Sequence, residues 1–102
     1  MEVIRKLSEK IDDELEDAQK YIKCAYKNRE EYPQLAELYY KLSLEEMNHA
    51  NLLHDAVVRI INDYKKDHEV PPAMQTLYEY LHNRHIAWAN KIKAKQDSYL
   101  KK

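Results

Sequence analysis

The amino-acid sequence predicts an all-α protein, because turn-forming residues are nearly absent and helix-forming residues are abundant. The 102 residues include no glycine and three prolines, whereas hairpins and sharp turns depend on these residue types. Hydrophobic residues make up 44% and charged residues 34%, a balance typical of a globular chain. The length fits a single domain over residues 1–102 with a modest core.

The three prolines mark where helices begin. Pro33 follows the polar stretch NREEY, and Pro71 and Pro72 follow KKDHEV. Proline suits the first turn of a helix, where its missing N–H is not needed. The sequence therefore predicts an antiparallel helical hairpin followed by a third long helix, with helices near residues 3–29, 33–66 and 73–100.

Composition also excludes several classes of partner. The net charge of −1 argues against nucleic acid or an anionic membrane as the main partner. No apolar run approaches 18 residues, and no signal peptide is expected after Met1. Cys24 is the single cysteine, which excludes a Cys-based zinc or iron–sulfur site within one chain and indicates a cytoplasmic location.

The hexapeptide EEMNHA (residues 45–50) places charged and polar side chains within an otherwise apolar stretch. At about 100° per residue, the apolar positions of each predicted helix form one stripe, which we expect to be buried. The stripes contain Leu7, Glu14, Ala18, Tyr21 and Ala25 in the first helix; Leu38, Leu42, Glu45, His49, Leu53, Ala56 and Ile60 in the second; and Met74, Tyr78, Leu81, His85, Trp88 and Ile92 in the third. The polar residues of EEMNHA are therefore predicted to lie on a buried face.

Carboxylates and an imidazole on a buried face point to a metal, because a buried carboxylate is costly unless it is paired or bound to a cation. Glu46 and His49 are three residues apart and project from neighbouring turns of one helix. In an antiparallel hairpin, residues at the same height are equidistant from the turn. Glu14 and the Glu46–His49 pair are centred on about residue 31, within the predicted turn. We therefore predict that Glu14, Glu46 and His49 are metal ligands.

The segments ELEDAQKY (residues 14–21) and LEEMNHANLL (residues 44–53) carry a family resemblance. They resemble the first two helices of rubrerythrin-like and ferritin-like di-iron proteins, over roughly residues 4–64. The resemblance implies that Glu14, Glu46 and His49 bind iron, with Glu46 bridging or chelating. It implies that Glu45 supports a ligand or pairs with another charge.

The chain supplies half of such a site, because the complete site takes a Glu from each of two helices and a Glu-x-x-His from each of two others. Glu79, His82 and His85 in the third helix are alternative ligands, spaced by threes. However, with a turn near residue 69, Glu79 and His82 are level with residues near 58, roughly 15 Å from the site. We interpret them mainly as groups at the core edge or surface, and expect a second copy to complete the site in a homodimer or larger even-numbered oligomer.

A site shared between two short chains resembles that of the encapsulated ferritins, so an encapsulin shell is a candidate partner, although no clear encapsulin-targeting tail is found. The C-terminal segment KAKQDSYLKK, however, lacks the glycine often found in encapsulin-targeting peptides.

The ligand set indicates the chemistry. Carboxylates with imidazole suit Fe(II), and manganese is also compatible. We predict oxidation of Fe(II) to Fe(III) by oxygen, a ferroxidase reaction, with Tyr21 as a candidate for electron transfer. Rubrerythrin-type peroxide reduction is disfavoured, because one cysteine leaves no room for a four-Cys iron module. The alternative is a non-catalytic helical oligomerisation module whose buried Glu and His form core pairs.

Overall fold

The computed structural model describes residues 2–101 and contains three helices. They are α1 (Glu2–Asn28), α2 (Pro33–Asp67) and α3 (Pro72–Leu100). Each end lies within one residue of the predicted bounds, which confirms the all-helical prediction. None of the three helices, over the described residues, combines the length and apolar composition needed to cross a membrane.

α2 and α3 begin at prolines, and no helix end uses glycine. Pro33 opens α2 and Pro72 opens α3, and neither helix start has a side-chain cap. At the end of α2, the backbone N–H of His68 donates to the carbonyl oxygen of Tyr64, and Lys65 and Lys66 occupy the last turn. Positive charge there complements the negative end of the helix dipole. Proline and terminal charge therefore delimit helices in a chain that has no glycine.

α1 and α2 pack as an antiparallel hairpin through small residues. Ala36, Ser43 and Ala50 follow one another at intervals of seven on α2 and are all buried. Residues at that spacing share one helix face, and small side chains allow two backbones to approach closely. The opposing face of α1 is mostly aliphatic and consists of Ile4, Ser8, Ile11, Leu15, Ala18, Ile22 and Ala25.

α3 runs along α1 in the same direction. Trp88 Nε1 donates to Gln19 Oε1 (3.2 Å), and Tyr26 Oη donates to the carbonyl oxygen of Lys95 (2.8 Å). The residue numbers of the contacting side chains therefore increase together along α1 and α3, as in two parallel helices. Ile92 is buried in the core cluster, where Trp88 also packs. The result is a rod of 56 × 17 × 16 Å.

The predicted buried stripe is correct for α3 and wrong for α2. In α3, Tyr78, His85 and Ile92 are buried as expected. In α2 the buried line passes through Ser43, roughly 120° around the helix from His49. Leu38, on the predicted line, is 51% exposed. The reason is that α2 carries two apolar faces, and periodicity alone does not tell which one α1 covers.

The predicted stripe of α1 is partly correct. Ala18 and Ala25 are buried, but Leu7, Glu14 and Tyr21 are only partly buried. The buried line of α1 is shifted toward Ile4, Leu15 and Ile22, which lie roughly 80–100° from Glu14. This shift sets Glu14 at the edge of the interface between α1 and α2.

Candidate metal centre

The hairpin brings Glu14, Glu46 and His49 together. One ligand atom from each residue lies within 4.8 Å of those from the other two. Within residues 2–101, this is the only group of three or more His, Cys, Asp or Glu residues that meets this distance. The connection between α1 and α2 covers residues 29–32. It includes residue 31, the midpoint in sequence between Glu14 and the Glu46–His49 pair, as expected if the three residues lie at one height in the hairpin.

The three side chains differ in exposure. His49 Nδ1 lies 3.5 Å from Glu14 Oε2 and 3.7 Å from Glu46 Oε1. The side chains of Glu14 and Glu46 are 27% and 19% exposed, whereas that of His49 is 52% exposed. The prediction that His49 is buried within the chain is therefore wrong. The carboxylates are sheltered between the helices, and the imidazole stands at an opening to one side of the hairpin.

The two carboxyl groups repel each other when both are ionised. A hydrogen bond between protonated Glu46 and Glu14 raises the pKa of Glu46 to about 7, with burial and the Glu14 charge acting in the same direction. The nearby His49 opposes this effect. Two carboxylates this close favour either a shared proton or a cation between them. The electrostatics thus fit a metal site.

A buried oxygen without a donor supports the same fit. Glu14 Oε2 is buried and has no hydrogen-bond partner among the described residues. Buried polar atoms are nearly always satisfied by protein, water or an ion. A divalent cation between Glu14, Glu46 and His49 would satisfy this oxygen. The donor set of two carboxylates and one imidazole suits iron and manganese.

The other predicted candidates do not join this group. Glu45 is exposed on α2, beside Glu46. Glu79 accepts a hydrogen bond from Gln75 Nε2 at 2.9 Å. His85 is buried and donates from Nε2 to Asp12 Oδ1 at 2.8 Å, which ties α3 to α1. Glu79 and His85 are held by other partners, so α3 does not complete the centre.

One histidine pairing was missed by the sequence reasoning. The ring of His82 lies against that of His54, with centroids 4.7 Å apart. His54 was not singled out because it lies off the predicted stripe of α2. The height rule, applied to a turn near residue 69, places His82 beside residue 56 and could have indicated this pair.

Tyr21 lies two turns after Glu14 on α1 and is partly buried. Its ring stacks on that of Tyr39, with centroids 6.1 Å apart. This contact between α1 and α2 gives Tyr21 a packing role in the hairpin. An additional role in electron transfer stays a prediction.

Comparison with known protein families matches this architecture to one of them. The Rubrerythrin family model matches residues 6–99. The chain belongs to the rubrerythrin family. The match includes α3, so it extends beyond the segment near residues 4–64 that carries the resemblance in sequence. Membership places the chain among the ferritin-like di-iron proteins and confirms that expectation.

Membership of the rubrerythrin family also implies a di-iron centre, for which Glu14, Glu46 and His49 are the candidate ligands in this chain. Searches of curated proteins and of solved structures found no match.

Proposed function

We propose that this rubrerythrin-family chain binds a di-iron centre shared between two copies and oxidises Fe(II) to Fe(III) with oxygen. The observation that carries the proposal is a half set of ligands on an open, apolar face of the hairpin. Two features support it: α3 lies on the wrong side to complete the set, and leucines surround the opening.

α3 approaches the hairpin from the side away from the ligands. It contacts α1 through Asp12 and Gln19, which lie roughly 140–160° around the helix from Glu14. At the height of the centre, α3 contributes Trp88, Ala89 and Ile92 to the core cluster. None of these is a metal ligand. A full set of four carboxylates and two histidines therefore requires ligands from outside the chain.

The open face around His49 is apolar, and within one chain it stays largely uncovered. Leu35, Leu38 and Leu52 are 39%, 51% and 59% exposed. All lie within roughly 60° of His49 around α2. Partly buried apolar residues continue the same face, namely Leu42, Leu53, Ala56 and Ile60. Such a face favours a partner, and a second copy across a two-fold axis would cover it and supply the missing ligands.

The residues of the chain have separate tasks in this proposal. Glu14 and Glu46 provide the negative charge that holds two divalent ions close together, and Glu46 gives up its proton when metal binds. His49 provides a neutral nitrogen ligand at the opening. Bound iron supplies electrons to oxygen in passing from Fe(II) to Fe(III). Manganese stays compatible with the same ligands.

The first test is anaerobic Fe(II) titration of metal-free protein, with the oligomer mass measured on the same sample. We expect one iron per chain in an even-numbered assembly, followed by oxygen consumption when air is admitted. Two irons per monomer would contradict the shared site. An absence of specific binding would contradict the metal centre altogether and favour the alternative module, in which His49 pairs with Glu14 and Glu46 without metal.

A matched pair of histidine variants sharpens the test. His49→Ala should abolish iron binding at the centre, whereas His68→Ala removes an exposed histidine at the end of α2 and should leave it unchanged. If both variants bind iron like the unmodified chain, the assigned ligands are wrong. An encapsulin shell as partner is tested separately, by co-purification of the chain with encapsulin.

A further inference from the structure

A pair of histidines meets on the other side of the hairpin. The imidazole rings of His54 on α2 and His82 on α3 have centroids 4.7 Å apart and planes tilted by 30°. His54 follows His49 by five residues and lies roughly 140° around α2 from it. The pair is therefore separate from the candidate metal centre. Because one histidine lies on α2 and the other on α3, the two rings meet only when α3 packs against the hairpin.

A carboxylate lies within reach of this pair. Glu79 stands three residues before His82, so the two side chains project from one face of α3. Glu79, His82 and His54 all line one cavity of about 180 Å³ between α2, α3 and the start of α1. Most of the remaining wall is aliphatic. Two imidazoles and a carboxylate thus open on a common space.

We propose that His54, His82 and Glu79 form a second metal site, which binds one divalent first-row transition-metal ion. Two imidazoles with one carboxylate are a donor set suited to iron and zinc. Without metal, Glu79 accepts a hydrogen bond from Gln75 Nε2 (2.9 Å), and binding requires its side chain to turn toward the histidines. Glu79 is exposed, which leaves its side chain room to turn.

The surroundings prepare His54 for this role. Burial and the neighbouring His82 lower the pKa of His54. The neutral imidazole is the form that binds metal, so the direction of this shift agrees with the ligand role inferred from the geometry of the cavity. His85 lines the same cavity but is already bonded to Asp12. It therefore stays outside the proposed ligand set.

An unsatisfied hydroxyl points to an occupant of the cavity. Tyr78 lines the cavity and is 9% exposed, and its Oη is buried without any hydrogen-bond partner. A buried hydroxyl without a partner is costly. A water molecule bound to a metal within the cavity would provide the missing hydrogen bond, because it would be a strong donor at that position.

The test is titration of metal-free protein with Zn(II), followed by calorimetry and by NMR of the histidine ring nitrogens. His49→Ala removes the first centre and should retain one zinc per chain, with the ring signals of His54 and His82 shifting together. In the His49→Ala background, His82→Ala should abolish this binding. Glu79→Gln replaces a carboxylate ligand by a neutral amide and should weaken zinc binding by at least about 10-fold, the lower end of the loss seen for groups that only support metal ligands.

The matched control is His68→Ala in the same background, which should bind zinc unchanged. Circular dichroism checks that each variant keeps its helices. The proposal is overturned if His82→Ala binds zinc like its His49→Ala parent, or if His68 shifts as much as His54. It is also overturned if the parent binds no zinc. A failure of the di-iron centre would be detected separately, by comparing the iron binding of His49→Ala with that of the unmodified chain.

Discussion

The side chains of Glu14 and Glu46 meet beside His49 across the interface of α1 and α2. The hydrogen bond between them raises the pKa of Glu46 from 4.5 to about 7. Without metal, the raised pKa of Glu46 favours a proton on this pair, and a cation bound at the proposed centre would replace that proton. We therefore expect the same contact to couple folding stability, pH and metal binding.

Metal-free protein should lose stability through this pair as the pH rises from about 4.5 to 7. In that window the folded state binds the proton of Glu46 and the unfolded state has lost it, so the free energy of unfolding falls with rising pH. Below pH 4.5 Glu46 is protonated in both states, and its full contribution to the free energy of unfolding is present. Urea unfolding in chelator at several pH values would measure this change.

Two variants isolate the effect of Glu46 on stability. Glu46→Gln keeps a hydrogen-bonding side chain that does not titrate, so its unfolding free energy should depend less on pH than that of the unmodified chain. Glu45→Gln alters the exposed neighbour and should retain the full dependence. Equal slopes for Glu46→Gln and the unmodified chain would show that Glu46 does not hold this proton.

Ser43→Ala should destabilise the fold by about 1–3 kcal/mol, the range for leaving a buried polar group unpaired. Ser43 Oγ donates to the carbonyl oxygen of Ala18 (2.7 Å) and accepts from Gln96 Nε2 (2.9 Å), which links all three helices. Ser8→Ala removes another buried hydroxyl, on α1, and is the control. Thermal unfolding should show the larger loss for Ser43→Ala, and equal losses would contradict the bridging role.

Leu52→Glu should break the proposed dimer and lower iron binding with it, because it places a charge on the open face beside His49. Leu77→Glu changes a leucine of similar exposure on α3, and should leave both properties unchanged. Sedimentation and iron titration on the same samples would measure this. A Leu52→Glu chain that still associates would place the interface elsewhere.

Tyr21→Phe should slow iron oxidation while iron stoichiometry stays the same, since phenylalanine retains the stacking on Tyr39 but lacks the oxidisable phenol. Stopped-flow absorbance after mixing with oxygen measures the rate. Tyr39→Phe is the control for a change in the same ring pair. If Tyr21→Phe oxidises iron at the unmodified rate, the packing role alone remains.

Local chemistry allowed much of this architecture to be predicted. Prolines suit helix starts, and a chain without glycine has few other ways to turn, so the helix bounds followed from residue type. The approach of Glu14 to Glu46 and His49 also followed, because height in a hairpin depends only on distance from the turn.

Tertiary packing decided which faces are buried. α2 has apolar residues both at Ala36 and Ala50 and around Leu38 and Leu52, and a helical wheel weighs these faces alike. α1 covers the face with small residues, because close approach there buries more of its isoleucines. His49 was thereby left at an opening instead of in the core.

The sequence by itself determined three long helices, the pairing of the first two and one set of candidate metal ligands. Each of these depends on contacts that are local or related by a single short turn. Only the tertiary structure decided that α3 lies beside α1, that His85 bonds Asp12 and that His54 meets His82. Those contacts join residues up to 73 positions apart. They arise from side-chain packing between helices, which no periodicity within one helix encodes.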